Sequence, residues 1–160
     1  MPGIRLTNLI VFLGCCGLIL IALYMQYFMH MLPCALCVTQ RIFVIAAGVV
    51  ALAAYLLNPG TAGRRAFAAA GVLAAGAGAG FAARHVWLQS LPEDQQPACG
   101  PSLDYILETL PLTEALDVLL AGDGNCAEVL WNFLGISLPG WTLVAFVGLI
   151  IINLWQLLRR

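Results

Sequence analysis

Charge is nearly missing from this 160-residue sequence. Only 9% of its residues are Asp, Glu, Lys or Arg and 62% are hydrophobic, where an ordinary soluble domain carries about 25% charged residues. That excludes a water-soluble globular domain. Lysine is absent, so all seven basic residues are arginines. Acids are absent from both ends of the chain, because all eight lie between positions 93 and 128, a stretch without a single arginine. Also missing are a haem ligand pair, a Rossmann glycine fingerprint and a phosphate-binding loop, and with them the cofactors those motifs hold.

What remains is mostly four apolar runs, at 9–28, 38–57, 66–88 and 141–158. Each suits the roughly 20 residues needed to cross the hydrocarbon of a bilayer. Arg41 lies near one end of the second run, and Arg84 and His85 near one end of the third, where an ionisable group can snorkel to the interface. The expectation is one all-α integral membrane domain over 1–160, a four-transmembrane-helix bundle. The first run is too long for the apolar core of a signal peptide, and no small-residue cleavage site follows it before Cys34. Leu13-Gly14-Cys15 faintly resembles a lipoprotein processing site, but the apolar run continues well past Cys15 and the basic leader is only Arg5.

The arginines orient the bundle. Arg5, Arg64, Arg65, Arg159 and Arg160 fall in the two tails and in the connection 58–65, which four spans place on one side. The positive-inside rule makes that side cytoplasmic. The short loop 29–37 and the long loop 89–140 then face outward, and Cys34, Cys37, Cys99 and Cys126 lie on the side where disulfides persist. Cys15 and Cys16 sit inside the first span and read as small buried apolar residues.

The long outer loop exceeds the length of a connector. Pro92, Pro97 and Pro101 make its first part extended. Leu103, Ile106, Leu107 and Leu110 then recur at helical spacing, and a second amphipathic stretch follows at 113–120. The turn 121–125 leads into Cys126, and 129–138 is again apolar. Short amphipathic helices are therefore expected, lying along the membrane, covering the bundle or offering a groove to a partner. Tyr27, Trp87, Trp131 and Trp141 fall near one boundary as an aromatic belt would, with Trp155 near the other. In the Gly/Ala-rich third span, Gly76 and Gly80 form a G-x-x-x-G expected to pack closely within the bundle.

The chemistry sits in Pro33-Cys34-Ala35-Leu36-Cys37-Val38-Thr39-Gln40-Arg41. Four outward cysteines allow three pairings. The closeness of Cys34 and Cys37 makes them the natural bridge, leaving Cys99 with Cys126. The second bridge would close about 27 residues and stabilise by roughly 3–4 kcal/mol, or else act as an exposed disulfide open to another protein's thiolate. A zinc site is a third reading, disfavoured by the oxidising side and by the lack of a second C-x-x-C. The Cys34–Cys37 bridge is too short to serve stability. Cys37 lies at the start of the second span, where the helix dipole favours an anion, and Arg41 follows four residues on, on the same face. Both favour a thiolate at Cys37. An apolar slot with donors from Arg41, and from His85, suits a lipid-soluble quinone as the electron acceptor; the alternative readings are a snorkelling phosphate anchor for Arg41 and a helix-capping or interface histidine for His85. His30 reads as interfacial.

Four spans, P-C-A-L-C-V-T-Q-R in a short outer loop and a second cysteine pair beginning P-A-C in a long one resemble the DsbB family of bacterial inner-membrane disulfide oxidoreductases, over essentially the whole chain. The resemblance implies that Cys34 and Cys37 form the quinone-proximal pair and that Cys99 and Cys126 exchange with a DsbA-like thioredoxin-fold oxidase. It further implies that Cys99 forms the mixed disulfide, that Cys37 contacts the quinone and that Arg41 binds or polarises it. The expected partners are that oxidase, ubiquinone or menaquinone, and membrane lipid, with no nucleic acid and no metal. Two alternatives remain. One is an enzyme like vitamin K epoxide reductase, whose C-x-x-C lies late in the chain. The other is a non-enzymatic membrane scaffold braced by disulfides.

Overall fold

The computed structural model describes residues 3–31, 33–95, 105, 111, 113–114, 117, 126–127, 129 and 131–159. It contains four long helices: α1 (Ile4–Phe28), α2 (Ala35–Leu57), α3 (Thr61–Ser90) and α4 (Leu138–Leu158). All four are long and apolar enough to cross a membrane, where a helix is one of the few ways to satisfy every backbone N–H and C=O internally. The protein is a multi-pass, all-α membrane protein. Each helix runs past the apolar run that announces it. At 1.5 Å per residue, the 30 residues of α3 extend about 45 Å, beyond the ~30 Å hydrocarbon core at one or both ends.

Local chemistry sets the breaks. α1 ends where His30, just past the C-cap Met29, adopts a left-handed conformation (φ 53°) and the Met31 N–H reaches back to the Met25 carbonyl at 3.3 Å, folding the chain back over the last helical turn. His30 is thus a turn residue at the helix end. α2 ends at Asn58, again left-handed, whose N–H bonds to the Ala54 carbonyl. α4 starts with Pro139 in its first turn, where a missing N–H costs nothing. Between α3 and α4, Tyr105, Thr113, Glu114 and Asp117 are helical. The rest of the expected amphipathic stretches lies outside the described residues. A feature not foreseen in 129–138 is a two-stranded hairpin, β1 (Asn132–Phe133) antiparallel to β2 (Ile136–Ser137). Its turn uses positive φ at both Leu134 and Gly135, the mirror-image turn whose twist suits a hairpin.

The helices are apolar all round, so packing is decided by size. α3 buries Ala68, Gly71, Ala75, Gly78 and Ala82, a stripe of small residues alternating three and four apart that faces α4. A Cβ on Gly71 would lie 2.3 Å from Asn153 Oδ1, and one on Gly78 would lie 2.3 Å from the Phe146 ring. The G-x-x-x-G expectation needs correction here. Gly76 and Gly80 are exposed, with nothing within 4 Å of a Cβ built on either; close approach falls instead on the glycines seven apart. Near the other crossing, a Cβ on Gly48 of α2 would come 3.1 Å from the Cβ of Cys15 on α1. Cys15 is buried among Val11, Val44 and Ala47 as a small apolar side chain.

The pairwise order of packing is α1 on α2, α2 on α3 and α3 on α4, with only slight contact between α2 and α4 and less still between α1 and α4. The bundle is therefore a folded ribbon with a seam left between its first and last helices.

The packing assignment has a direct test in the thermal denaturation of detergent-purified protein. Gly78→Ala should lower Tm by several degrees, because Phe146 is fully buried and overpacking costs about 1–3 kcal/mol. Gly76→Ala and Gly80→Ala should leave Tm unchanged or raise it slightly, through the better helix propensity of alanine.

Candidate active site

Pro33 brings the chain in extended, and Cys34 is the N-cap of α2 (φ −78°, ψ 171°). Its carbonyl accepts the Val38 N–H at 3.2 Å, closing the first turn. Cys37 is then the third helical residue. N-cap and third positions face each other across a helix start, as in a capping box, so two intervening residues bring the sulfurs together: Cys34 Sγ donates to Cys37 Sγ at 3.1 Å. Ala35 and Leu36, the residues between, are buried against Leu88 and Cys126 and fix the turn from behind.

The two thiols are not equivalent. Contact with the Cys126 side chain, the hydrogen bond to Cys37 and burial together hold the Cys34 thiol far above the ordinary thiol range. Cys34 keeps its proton and points it at Cys37, which sits among the unpaired N–H groups of the helix start with Arg41 one turn on. Cys37 is thus the sulfur that lies in the field of the helix start.

Arg41 is anchored from outside its own helix. Nη1 donates to Gln26 Oε1 and Nη2 donates to the Ala22 carbonyl at 3.3 Å, both on α1. A guanidinium has five N–H donors, so this tether leaves others for the space that Arg41 lines. That space is a cavity of about 610 Å³ between α1, α2, α4 and the hairpin. Leu18, Ala22 and Met25 of α1 form one wall, Cys37, Gln40, Arg41 and Val44 of α2 the back, and Leu138, Trp141 and Ala145 of α4 the other wall. Trp131 and Phe133 close one side, stacked with ring centroids 5.7 Å apart, and Trp141 Nε1 donates to the Phe133 carbonyl at 3.2 Å. The cavity fills the seam between α1 and α4. Its wall is almost wholly apolar apart from the Cys37–Gln40–Arg41 edge.

His85 is elsewhere. It is buried on α3, with Nε2 3.7 Å from Cys34 Sγ and Nδ1 3.0 Å from Gln40 Nε2. It lines a recess of about 50 Å³ that shares Cys37 and Arg41 with the large cavity. His85 is absent from the large cavity's wall because α3 packs on the far side of α2 from α1. It faces the sulfurs. Cys126 is fully buried beside Cys34, and its backbone interacts with the His85 ring, so it does not sit on an exposed arm. Cys99 lies outside the described residues. The structure thus gathers Cys34, Cys37, Cys126, Arg41 and His85 around one helix start.

A family profile described as Disulfide bond formation protein DsbB matches residues 4–156. The chain belongs to the DsbB family. Proteins named Disulfide bond formation protein B are similar to it end to end. The relative from Saccharophagus degradans is 56% identical over 160 residues, covering 100% of this chain and 96% of that one. That from Marinobacter nauticus is 52% identical, covering 94% and 90%, and that from Stutzerimonas stutzeri is 51% identical, covering 98% and 96%. This DsbB-family chain is accordingly a disulfide bond formation protein.

Several residues of the site were not assigned to it from the sequence. Gln40 stands in the quoted motif, yet only the structure shows it bridging His85 and the cavity. Trp131 and Trp141 read as belt residues, whereas here they wall the cavity, because the hairpin folds one back toward the other. Gln26 is a lone polar residue late in the first span, and that oddity was the available clue.

Burial of Cys126 is measurable. In the reduced native protein, a polar maleimide should label Cys126 at least tenfold more slowly than in denaturant, read by peptide mass mapping. Equal rates would mean that the Cys126 site is open to water.

Proposed function

We propose that this chain is a quinone-linked thiol–disulfide oxidoreductase. It reoxidises a DsbA-like thioredoxin-fold partner and passes the electrons to ubiquinone or menaquinone. It sits in a bacterial inner membrane with both termini cytoplasmic and the cysteine end periplasmic. The observation that carries the reading is that Cys37 and Arg41 share the wall of an apolar cavity of about 610 Å³ set in the seam between α1 and α4. The orientation rests on Arg5, Arg64 and Arg159, which fall at one end of the antiparallel helices, opposite to Cys34.

The lining fits a quinone. Its volume lies within the range of small-molecule sites, which are mostly apolar with a few placed polar groups. A quinone bound there supplies an acceptor for two electrons and two protons. Arg41 would orient it by donating to a carbonyl oxygen, with Gln40 beside it, while Trp131, Phe133 and Trp141 keep water out. Cys37 would hold the reacting thiolate at the cavity wall, and Cys34 would retain the proton.

The sulfur arrangement supports a relay. The partner's thiolate attacks Cys99, breaks a Cys99–Cys126 bond and releases Cys126 as thiolate. The partner's second thiolate then displaces Cys99 and closes the partner's own disulfide. Cys126, buried beside Cys34, attacks that sulfur. The Cys34–Cys37 bond breaks and Cys37 leaves as thiolate, favoured because the better leaving group is the less basic sulfur. Cys99 then attacks Cys126 and restores the outer pair, releasing Cys34 as thiol. Two electrons have moved from the partner to Cys34 and Cys37.

Purified protein mixed with a reduced DsbA-type partner and ubiquinone or menaquinone should consume quinone, followed by its absorbance, and Cys37→Ser should abolish that consumption. No loss of either quinone, or full activity of Cys37→Ser, would return the disulfides to a bracing role. Arg41→Ala should raise the KM for quinone roughly ten- to hundredfold, the worth of a hydrogen bond to a charged group, with a smaller effect on kcat. An unchanged KM would reduce Arg41 to a tether between α1 and α2.

A further inference from the structure

The zinc reading of four cysteines was disfavoured by the oxidising side and by the lack of a second C-x-x-C, but the fold brings a histidine to the first pair. Cys34 Sγ, Cys37 Sγ and a ring nitrogen of His85 all lie within 4.8 Å of one another. We propose that in its dithiol state this cluster is a site for a zinc-type divalent cation, held by Cys34, Cys37 and His85, and that the cation and the Cys34–Cys37 disulfide are mutually exclusive occupants of the same sulfurs.

The geometry is near what such a cation requires. With metal–sulfur bonds of about 2.3 Å and metal–nitrogen bonds of about 2.0–2.1 Å, tetrahedral ligands stand roughly 3.8 Å apart for sulfur pairs and roughly 3.5 Å for sulfur and nitrogen. The Cys34 Sγ to His85 Nε2 separation is 3.7 Å. The Cys34 to Cys37 separation is 3.1 Å, so the sulfurs open by about 0.7 Å on ligation, which side-chain torsions at a helix start can absorb. A C-x-x-C at N-cap and third positions also offers its thiolates the helix dipole.

The surroundings match as well. A ligating histidine almost always donates its second ring N–H to a fixed acceptor. The Gln40 amide lies 3.0 Å from His85 Nδ1, and the amide oxygen and nitrogen exchange places by a simple flip. With the oxygen toward Nδ1, Nε2 is the nitrogen that faces Cys34, and the cation competes there with the ring's contact to the Cys126 backbone. Both His85 and Gln40 are buried, so neither ligand nor support is engaged by water. Binding is not a redox step: the cation replaces the two thiol protons, which leave to solvent, and no electrons move. The oxidised pair has no thiolates to offer.

Cobalt(II) reports the site without any turnover. Full-length protein in detergent, reduced and desalted anaerobically, should bind one Co²⁺ per chain, with near-ultraviolet thiolate-to-cobalt bands and visible bands of tetrahedral intensity. Zinc should bleach both, and prior oxidation of Cys34–Cys37 should prevent them. Cys34→Ser and Cys37→Ser should each lose thiolate-to-cobalt intensity. Gln40→Ala, which removes no ligand, should weaken Co²⁺ about tenfold or more, and His85→Ala should weaken it further. A Cys15→Ser/Cys16→Ser variant should behave as the parent. Unchanged affinity in His85→Ala and Gln40→Ala, or thiolate bands that survive both Cys34→Ser and Cys37→Ser, would overturn the site. These spectra do not depend on quinone or partner, so they stand or fall separately from the oxidoreductase reading.

Discussion

The first turn of α2 is the constraint around which the sulfur cluster is built. A helix start has unpaired N–H groups and a positive end, and its N-cap and third side chains converge. Placing cysteines at those two positions makes a close pair of unlike sulfurs: one outside the helix and proton-bearing, the other inside its field. Burial of Ala35 and Leu36 stops that turn from fraying. Arg41, on the next turn, extends the positive field toward α1. The pair's chemistry is therefore a property of backbone geometry first and of neighbouring side chains second.

The second determinant is the ribbon order of the helices. α3 and α4 are drawn together through Gly71 and Gly78, with Asn153 and Phe146 filling the notches. α1 is held by α2 through Cys15 against Gly48 and through the Arg41 tether. No comparable set of small residues joins α1 to α4. The cavity results from that difference, and the hairpin's aromatic side chains line its edge. In lipid, where apolar surface gives no drive to close such a gap, a seam of this kind persists unless packing removes it.

The sequence made much of this legible, and for clear reasons. Length and apolarity reveal a membrane helix directly, so four spans were readable, and C-x-x-C followed by Arg41 is short-range geometry that spacing encodes. What spacing cannot encode was lost. In a helix that is apolar all round, periodicity carries no direction, so Gly76 and Gly80 looked as good as Gly71 and Gly78. His85 was visible as an ionisable residue near a span end, but which cavity it faces depends on the order of helix packing. Cys126 could be read as part of an exposed disulfide because its loop is punctuated by Pro and Gly, whereas its burial comes from Leu36 and Leu88, distant in sequence. The two-residue strands of the hairpin, with Leu134 rather than Asn at a positive φ, lie below what alternation can detect.

The seam between α1 and α4 also changes how concentration is to be counted. A lipid-soluble ligand of a cavity set between membrane-spanning helices is drawn from a two-dimensional solvent, and water is not the reservoir. The relevant quantity is the number of ligand molecules per lipid, and adding buffer to a vesicle suspension leaves it unchanged, whereas adding lipid or detergent dilutes it. A molar affinity measured in micelles therefore belongs as much to the micelle as to the protein, and only a mole fraction carries over from one membrane to another.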